Sequence, residues 1–366
     1  MSVVAALPAA LRLDRIAAAA PPRRFPLKDA IFILGAPRSG TTWLATVFDS
    51  HPGTLYRHEP DIVDRGPALP GPCRREDIPL HRDAARDYLG RLAGLATLKT
   101  AGHPWLFRKN YRSEWAGCVR LGKIGALHAL APLWNGAARA AVKDRIRDGA
   151  DVRVVIKSVS GCGRAGLYAE AAPEACFLFV MRNPFGQIAS MLRGTRLGKL
   201  NGNAAVEGLW HWPEAAQHGL TEAAFARMTL VDKLAWHWVL HCEKALADLR
   251  SHRRARIACY EAMCAEPVAY AASLFAFAGL GMGEETRAFL RLSTESETQR
   301  GYYSLRKSPS ETRLRWRTEL ARHQQDRIAR IVEGTEPYRV LRAREADGTG
   351  GEFASGRAGK IAARAA

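Results

Sequence analysis

Ala30-Ile-Phe-Ile-Leu34 runs directly into Gly35-Ala-Pro-Arg-Ser-Gly-Thr-Thr42, and that join decides the fold. A short apolar run ending at a glycine reads as a buried strand. The glycines that follow let the backbone wrap an anion, and Trp43 to Ser50 reads as the next helix. Strand, Gly-rich turn and helix in that order make a phosphate-binding loop. On the pattern G-x-x-x-x-G-K-[ST], the lysine position of a nucleotide triphosphatase holds Thr41, and the positive charge stands inside the loop at Arg38.

The same grammar recurs downstream. Val152, Val154, Val155 and Ile156 lead into Lys157, and Cys176 to Met181 leads into Arg182-Asn-Pro and a helix from about Pro184. Ala255 to Tyr260 forms another strand after a Trp-rich helical segment from roughly Thr221 to Ser251. Short apolar strands alternating with helices predict an α/β fold: a single P-loop-type domain with a central parallel sheet flanked by helices. The expected boundaries are a flexible Ala/Pro-rich arm at 1–27, the domain at 28–343, and a Gly/Ala-rich tail at 344–366 whose composition reads as disordered.

Composition narrows the partners. The chain has 366 residues, 54 Lys+Arg against 36 Asp+Glu, and a net charge of +18. Most of that excess lies on the body rather than the termini, which predicts an anionic partner without choosing one. No run approaches the roughly 18 apolar residues of a spanning helix, so no integral membrane segment is expected. The seven cysteines contain no C-x-x-C pair and no charged residue precedes the apolar stretch Val3 to Leu11; together these predict free thiols and a cytoplasmic protein.

Pro37-Arg-Ser-Gly-Thr-Thr-Trp43 resembles the 5′-phosphosulfate-binding loop of sulfotransferases that use 3′-phosphoadenosine-5′-phosphosulfate (PAPS). The resemblance implies that Arg38, Ser39, Gly40, Thr41, Thr42 and Trp43 contact this cosubstrate. A second motif, Arg182-Asn-Pro-Phe-Gly-Gln-Ile-Ala-Ser190, pairs a guanidinium fork with a hydroxyl two helical turns on. In the family, the corresponding Arg and Ser hold the 3′-phosphate. Ile257-Ala-Cys-Tyr-Glu261, with Pro267 and Phe275 to Leu280, resembles the segment whose tyrosine contacts the nucleotide, which makes Tyr260 a ligand. Leu305-Arg-Lys-Ser308, ahead of Trp316, resembles the late basic segment that closes on the 3′-phosphate, although it lacks the Arg-Lys-Gly form of cytosolic members. Arg306 and Lys307 are carried over on that basis. The resemblance spans roughly residues 28 to 342.

Sulfuryl transfer needs a base for the acceptor proton and cations for the departing oxygen, with no metal in this family. Arg38 and Lys157 are expected to stabilise the leaving group; the bland alternative for Lys157 is a lysine snorkelling from a strand end. Cytosolic small-molecule sulfotransferases place a histidine just after the corresponding lysine, and here Ser158 stands there. Tyr56-Arg-His-Glu-Pro60 resembles the Glu-Pro segment of glycan sulfotransferases. The chain is therefore closer to carbohydrate, tyrosylprotein and bacterial members. Glu59 is the expected base, its pKa raised by partial desolvation. His58 is the rival, and a solvated Glu59 paired with Arg57 or Arg65 is the structural alternative.

Two clusters read as structural or open. His237 and His241 lie one turn apart without a third ligand, and Trp236 and Trp238 beside them read as core. The 199–220 excursion, with Trp210, His211 and Trp212, either grips an acceptor or packs on its own tryptophans, and the run Trp105 to Trp115 poses the same choice. The expected function is transfer of sulfuryl from PAPS to a carbohydrate-type hydroxyl, releasing 3′,5′-ADP. The alternatives are a P-loop phosphotransferase and a non-enzymatic binder of nucleic acid or an anionic surface. The loop with its Arg/Ser partner is not what nucleic acid requires, so none is expected as partner.

Overall fold

A computed structural model describes residues 24–102, 105–133, 137–295 and 309–347. The decisive strand, β1 (Ile31–Leu34), is buried at every position and sits in the middle of the sheet. The other strands are β2 (Thr54–His58), β3 (Arg153–Ser158), β4 (Cys176–Met181) and β5 (Ala255–Cys259). Their order is β2-β3-β1-β4-β5 and all neighbours are parallel. Helices cover both faces of such a sheet, which is why β1 and β4 read as unbroken apolar runs. This is the P-loop-type α/β architecture expected from the alternation of strands and helices.

Four of the five strands are legible by pattern; β2 is not. Its sequence Thr-Leu-Tyr-Arg-His alternates poorly because Arg57 is buried to 1% exposure inside the protein. A buried arginine mimics a loop to any reading that equates charge with solvent.

Between the strands run α1 (Thr41–Asp49), α2 (Pro60–Val63), α3 (Ile78–Gly94), α4 (Glu114–Leu130), α5 (Ala165–Ala171) and α6 (Pro184–Arg196). The excursion after α6 folds into α7 (Gly202–Val206), α8 (Pro213–Gln217) and α9 (Glu222–Ala226). The long helix expected from Thr221 is divided: α10 begins only at Leu230 and runs to Leu249. Thr229 starts it by a capping box, its hydroxyl accepting from the Asp232 amide while the Asp232 carboxylate accepts from the Thr229 amide. Then come α11 (Tyr260–Ala265), α12 (Pro267–Phe277), α13 (Glu284–Glu295), α14 (Pro309–Leu314), α15 (Trp316–Glu319), α16 (Arg322–Val332) and α17 (Glu336–Asp347). Helix α17 extends past residue 343, where the tail was expected to begin, and Leu341 anchors it at 1% exposure.

The core is one large cluster around the sheet. A small separate cluster of Leu98, Ala101, Ile124, Ala137, Ala140 and Val142 organises the stretch between α3 and β3. Trp238 lies at 0% exposure, as expected of core, and Trp236 packs at its edge. Among the described residues no helix is long and apolar enough to cross a membrane.

Candidate active site

Parallel strands deliver their carboxyl ends to the same side of the sheet, and a reversal of strand order there opens a crevice. Here β1 lies between β3 and β4, so the loop after it opens at such a point. Arg38 follows β1, Glu59 follows β2, Lys157 lies at the end of β3, Arg182 follows β4 and Tyr260 follows β5. All five line a single cavity of about 420 Å³. The register explains the meeting, since β3 pairs Lys157 with His58 on one side and with Ile33 on the other.

The loop is shaped by its glycines. A Cβ on Gly35 would come within 2.8 Å of the Val180 carbonyl, so only glycine lets the loop leave β1 against β4. Gly40 has φ of 105°, and a Cβ there would meet the Tyr260 ring at 2.4 Å. That close approach seats the tyrosine on the start of α1. The leading amides of α1 have no intrahelical acceptor, and the helix dipole adds positive potential there. Arg38 itself adopts a left-handed φ of 69°, and Glu59 one of 46°. Outside glycine that region is sparsely populated, and such strain collects at functional sites.

The second motif meets the first directly. Arg38 Nε donates to Ser190 Oγ at 3.1 Å, and Arg182 Nη1 donates to the Arg38 carbonyl at 3.0 Å. The Arg182 guanidinium lies over the Tyr260 ring, 4.3 Å from its centroid. Its backbone is fixed by the Trp238 indole, which donates to the Arg182 carbonyl at 2.8 Å. Arg182 Nε is buried and has no hydrogen-bond partner among the described residues. A buried guanidinium N–H left over beside a helix N-terminus fits a bound phosphate. Thr42 and Trp43 also line the cavity, and the Trp43 indole donates to Ser293 Oγ at 3.2 Å. The Ser39 side chain does not line it; its hydroxyl is buried toward Gly35. Arg306 and Lys307 lie outside the described residues.

The opposite end of the cavity is a charge cluster around Glu59. Lys157 Nζ and Glu59 Oε1 are in direct contact, Lys99 Nζ donates to Oε2 at 2.8 Å, and His58 Nε2 stands 3.7 Å from Oε2. The Tyr56 hydroxyl is 2.7 Å from His58 Nδ1 and orients that ring. Burial alone would raise the Glu59 pKa, but Lys157, His58 and Lys99 outweigh it and hold the carboxyl well below the usual range. The expectation of a raised pKa is therefore corrected: desolvation is present, and the cations overcome it. Burial lowers the pKa of Lys157 despite Glu59 beside it. Glu59 is not the solvated partner of Arg57 or Arg65. Arg57 instead bonds Asp144 Oδ2 at 2.7 Å.

Lys99, Arg193 and Arg315 complete the lining and escaped sequence reading. Glu319 binds Arg193 and lies 2.6 Å from Arg315 Nε, which closes the α6 side. None of the three falls in a motif, and each meets the site through packing of segments distant in sequence. The tryptophans of the excursion do not reach the cavity. Trp212 packs 4.4 Å from His241 and Trp210 packs 5.5 Å from Phe225. Trp105 packs on Phe107 and Phe289. The buried His237 and His241 rings stack at 3.9 Å, and burial pushes the His241 pKa down to about 4.

In sum of charge, Arg38, Lys99, Lys157, Arg182, Arg193 and Arg315 face the cavity against Glu59 and Glu319. An arrangement with a phosphate pole at Arg182 and an ionised carboxylate beside a buried lysine at the other can bind a polyanion and accept a proton next to it.

No curated protein matches the chain. Solved structures to which it is similar include the sulfotransferase domain of the Synechococcus PCC 7002 olefin synthase, at 16% identity over 84% of this chain and 94% of that one, with a TM-score of 0.40. Sulfotransferase STF9 from Mycobacterium avium is similar at 14% identity, over 85% and 78%, with a TM-score of 0.40. The mouse sulfotransferase SULT7A1, solved with PAP, is similar at 13% identity, over 87% and 89%, with a TM-score of 0.39. A family model described as the sulfotransferase family matches residues 30–284, from β1 to the start of α13. That span is well over half of the sequence and holds Arg38, Glu59, Lys157, Arg182, Ser190 and Tyr260: the chain belongs to the sulfotransferase family.

Proposed function

We propose that the protein transfers a sulfuryl group from PAPS to an acceptor hydroxyl and releases 3′,5′-ADP, as a cytoplasmic enzyme whose domain runs from about residue 28 through α17. The observation that carries this reading is the convergence of all five strand ends on one cavity with two cationic poles. Six cations against two carboxylates leave a surplus that suits a ligand with a phosphomonoester at one end, which alone carries about two negative charges. Arg182 and Ser190 would hold that phosphomonoester, Tyr260 and Trp43 would flank the nucleotide, and Arg38 with the α1 amides, Thr41 and Thr42 would hold the phosphosulfate, where Arg38 and Lys157 would stabilise the leaving phosphate. Arg306 and Lys307 would close over the 3′-phosphate. No metal takes part.

In the reaction the acceptor oxygen bonds to sulfur as the bond from sulfur to the 5′-phosphate oxygen breaks. The acceptor proton goes to a Glu59 carboxylate oxygen, and the negative charge goes to the departing phosphate. Lys157 contacts Glu59 and is the cation nearest the base. As charge grows on the phosphate, Lys157 is drawn toward it, and Glu59 becomes a stronger base when the proton must leave. The acceptor is read as carbohydrate-type on the carboxylate base. With Trp210 and Trp212 packed away, such an acceptor would be held by polar groups, chiefly His58 and Lys99.

Thermal stabilisation tests the reading. A ligand present at about 100 times its Kd stabilises the fold by roughly 2.7 kcal/mol. 3′,5′-ADP should raise the melting temperature, Arg182→Ala should abolish the rise, and a DNA oligomer should give none. A shift with ATP·Mg²⁺ and none with 3′,5′-ADP would overturn the proposal in favour of phosphoryl transfer.

A further inference from the structure

Helix α4 is the anomaly of this molecule. It has 17 residues, and only Gly117 and Ile124 are buried. Ile124 pins it to the small cluster with Leu98, Ala101 and Val142 rather than to the main core. On the opposite side, Trp115, Val119, Gly122, Ala126 and Leu130 recur at the three- and four-residue spacing of one helix face, and all are exposed. Trp115 is 75% exposed and Leu130 52%. Leu106, also 52% exposed, lies against the same helix near Gly117. A helix normally turns its apolar side inward. This one turns a Trp-led apolar side outward, and contiguous exposed apolar surface marks an interaction site.

The surroundings identify the occupant. Residues 105–148 carry nine Lys and Arg against three Asp and Glu. One of those acids, Asp144, is already consumed by the buried Arg57 and by Arg120 at 3.6 Å. That contact, and the Arg147 amide donating to the Tyr111 carbonyl at 2.9 Å, hold the 142–147 loop beside the start of α4. Lys123, Arg139, Lys143, Arg145 and Arg147 are all exposed around the apolar face. The cofactor cavity uses none of them. Two copies paired through this face would bring the same basic rim together, which opposes association. Nucleic acid would satisfy the rim and leave the apolar centre unused.

An apolar stripe with tryptophan at its end and a basic fringe is what an anionic bilayer surface complements. We propose that α4 and the 142–147 loop dock the protein onto an anionic membrane, with the apolar face at the headgroup–acyl boundary and the basic loop on lipid phosphates. Helix α4 lies in the plane of the interface, because Ile124 holds its other side to the protein.

Sedimentation of the full chain with lipid vesicles tests this without reference to sulfuryl transfer. Vesicles of phosphatidylcholine and phosphatidylglycerol in about a 2:1 ratio should bind the protein, and phosphatidylcholine alone should not. Trp115→Glu with Val119→Glu should lower the vesicle partition coefficient at least tenfold. Lys143→Glu with Arg145→Glu should lower it severalfold and weaken its salt dependence. Both variants should keep the wild-type melting temperature and 3′,5′-ADP shift, because none of the four side chains lines the cavity. The proposal fails if anionic vesicles do not bind the protein. It also fails if the Trp115/Val119 variant binds as wild type, since the contact is then only diffuse charge. A dimer by light scattering that this variant converts to monomer would make a second copy the occupant, and would overturn it too.

Discussion

The two edges of the sheet each end in a largely buried carboxyl, and the two are shifted in opposite directions. After β2, Glu59 sits among Lys157, His58 and Lys99, whose charges overcome burial and keep it ionised. After β5, Glu261 is pushed up to about 7, because burial dominates and Arg182 with the Asn183 amide offsets it only in part. Glu261 accepts from that amide at 3.0 Å and so ties the end of β5 to the turn that presents Arg182. The β2 edge keeps a charge where a proton has to be taken. The β5 edge keeps an acid whose proton is held up to about neutral pH where a loop has to be shaped. Burial is common to both; the number of cations within reach decides the difference.

The strongest way to break this comparison is Glu59→Gln, which keeps the shape and removes the base. The turnover number should fall by about 10²- to 10⁴-fold, with 3′,5′-ADP affinity by calorimetry near wild type. A wild-type rate would end the assignment of Glu59 as base. Two residues earlier in the same strand, Arg57 should behave in the opposite way. It is 1% exposed, donates to the Ala93 carbonyl at 2.8 Å and neutralises Asp144. Arg57→Met takes the nearest cation from a buried carboxylate, leaving Arg120 at 3.6 Å, and should cost up to about 3 kcal/mol in denaturant unfolding, with turnover per folded molecule little changed. A stable Arg57→Met with lost activity would show that the charge cluster behind β2 belongs to the site.

Glu261 sharpens the other side. Its pKa rises from an ordinary 4.5 in the unfolded chain to about 7 in the fold, so the folded state binds the proton more tightly. The resulting stability is fully present below pH 4.5 and is lost as pH rises through 7, up to about 3 kcal/mol. Wild-type unfolding free energy, compared with that of Glu261→Gln, should therefore decline between pH 5 and 8 as the ratio of ionised to neutral Glu261 grows. Parallel profiles for the two proteins would mean that Glu261 titrates alike in both states.

Why one edge was readable and the other was not follows from where their signals lie along the chain. The loop from Gly35 to Thr42 and the run from Arg182 to Ser190 are contiguous, and each strand before them is apolar enough to announce itself. Tyr260 came with them through the resemblance of Ile257 to Glu261 to a known segment. Glu59 was found through the Glu-Pro join, yet β2 before it was missed, since a buried Arg57 does not look like interior. The sign of its pKa was missed for a related reason. Desolvation can be guessed from a strand end, but Lys99 reaches Glu59 across 40 residues and through a loop without a motif. Long-range pairing of charges is a property of the packed chain. Helix α4 was not anticipated from the sequence, and even a periodic apolar pattern cannot say which way a helix faces.

Lys99 carries the smallest effect and the finest test. It is about 30% exposed and contacts Glu59 Oε2 at 2.8 Å, so the pair is worth about 1 kcal/mol or less after solvent screening. Lys157 remains when Lys99 is removed. Lys99→Met should therefore lower kcat/KM by less than about tenfold, the scale of 1.4 kcal/mol. Its pH profile is more telling than its rate. Because Glu59 is held below the usual carboxylate range, wild-type kcat/KM should show no acid limb from pH 7 down to about 5. Removing a neighbouring cation raises the carboxyl pKa, so in Lys99→Met any acid limb must move to higher pH, and Lys99→Arg must move it back. An acid limb near pH 6.5 in the wild type, unmoved by Lys99→Met and removed by His58→Asn, would transfer the proton to His58 and leave Glu59 as its orienting partner.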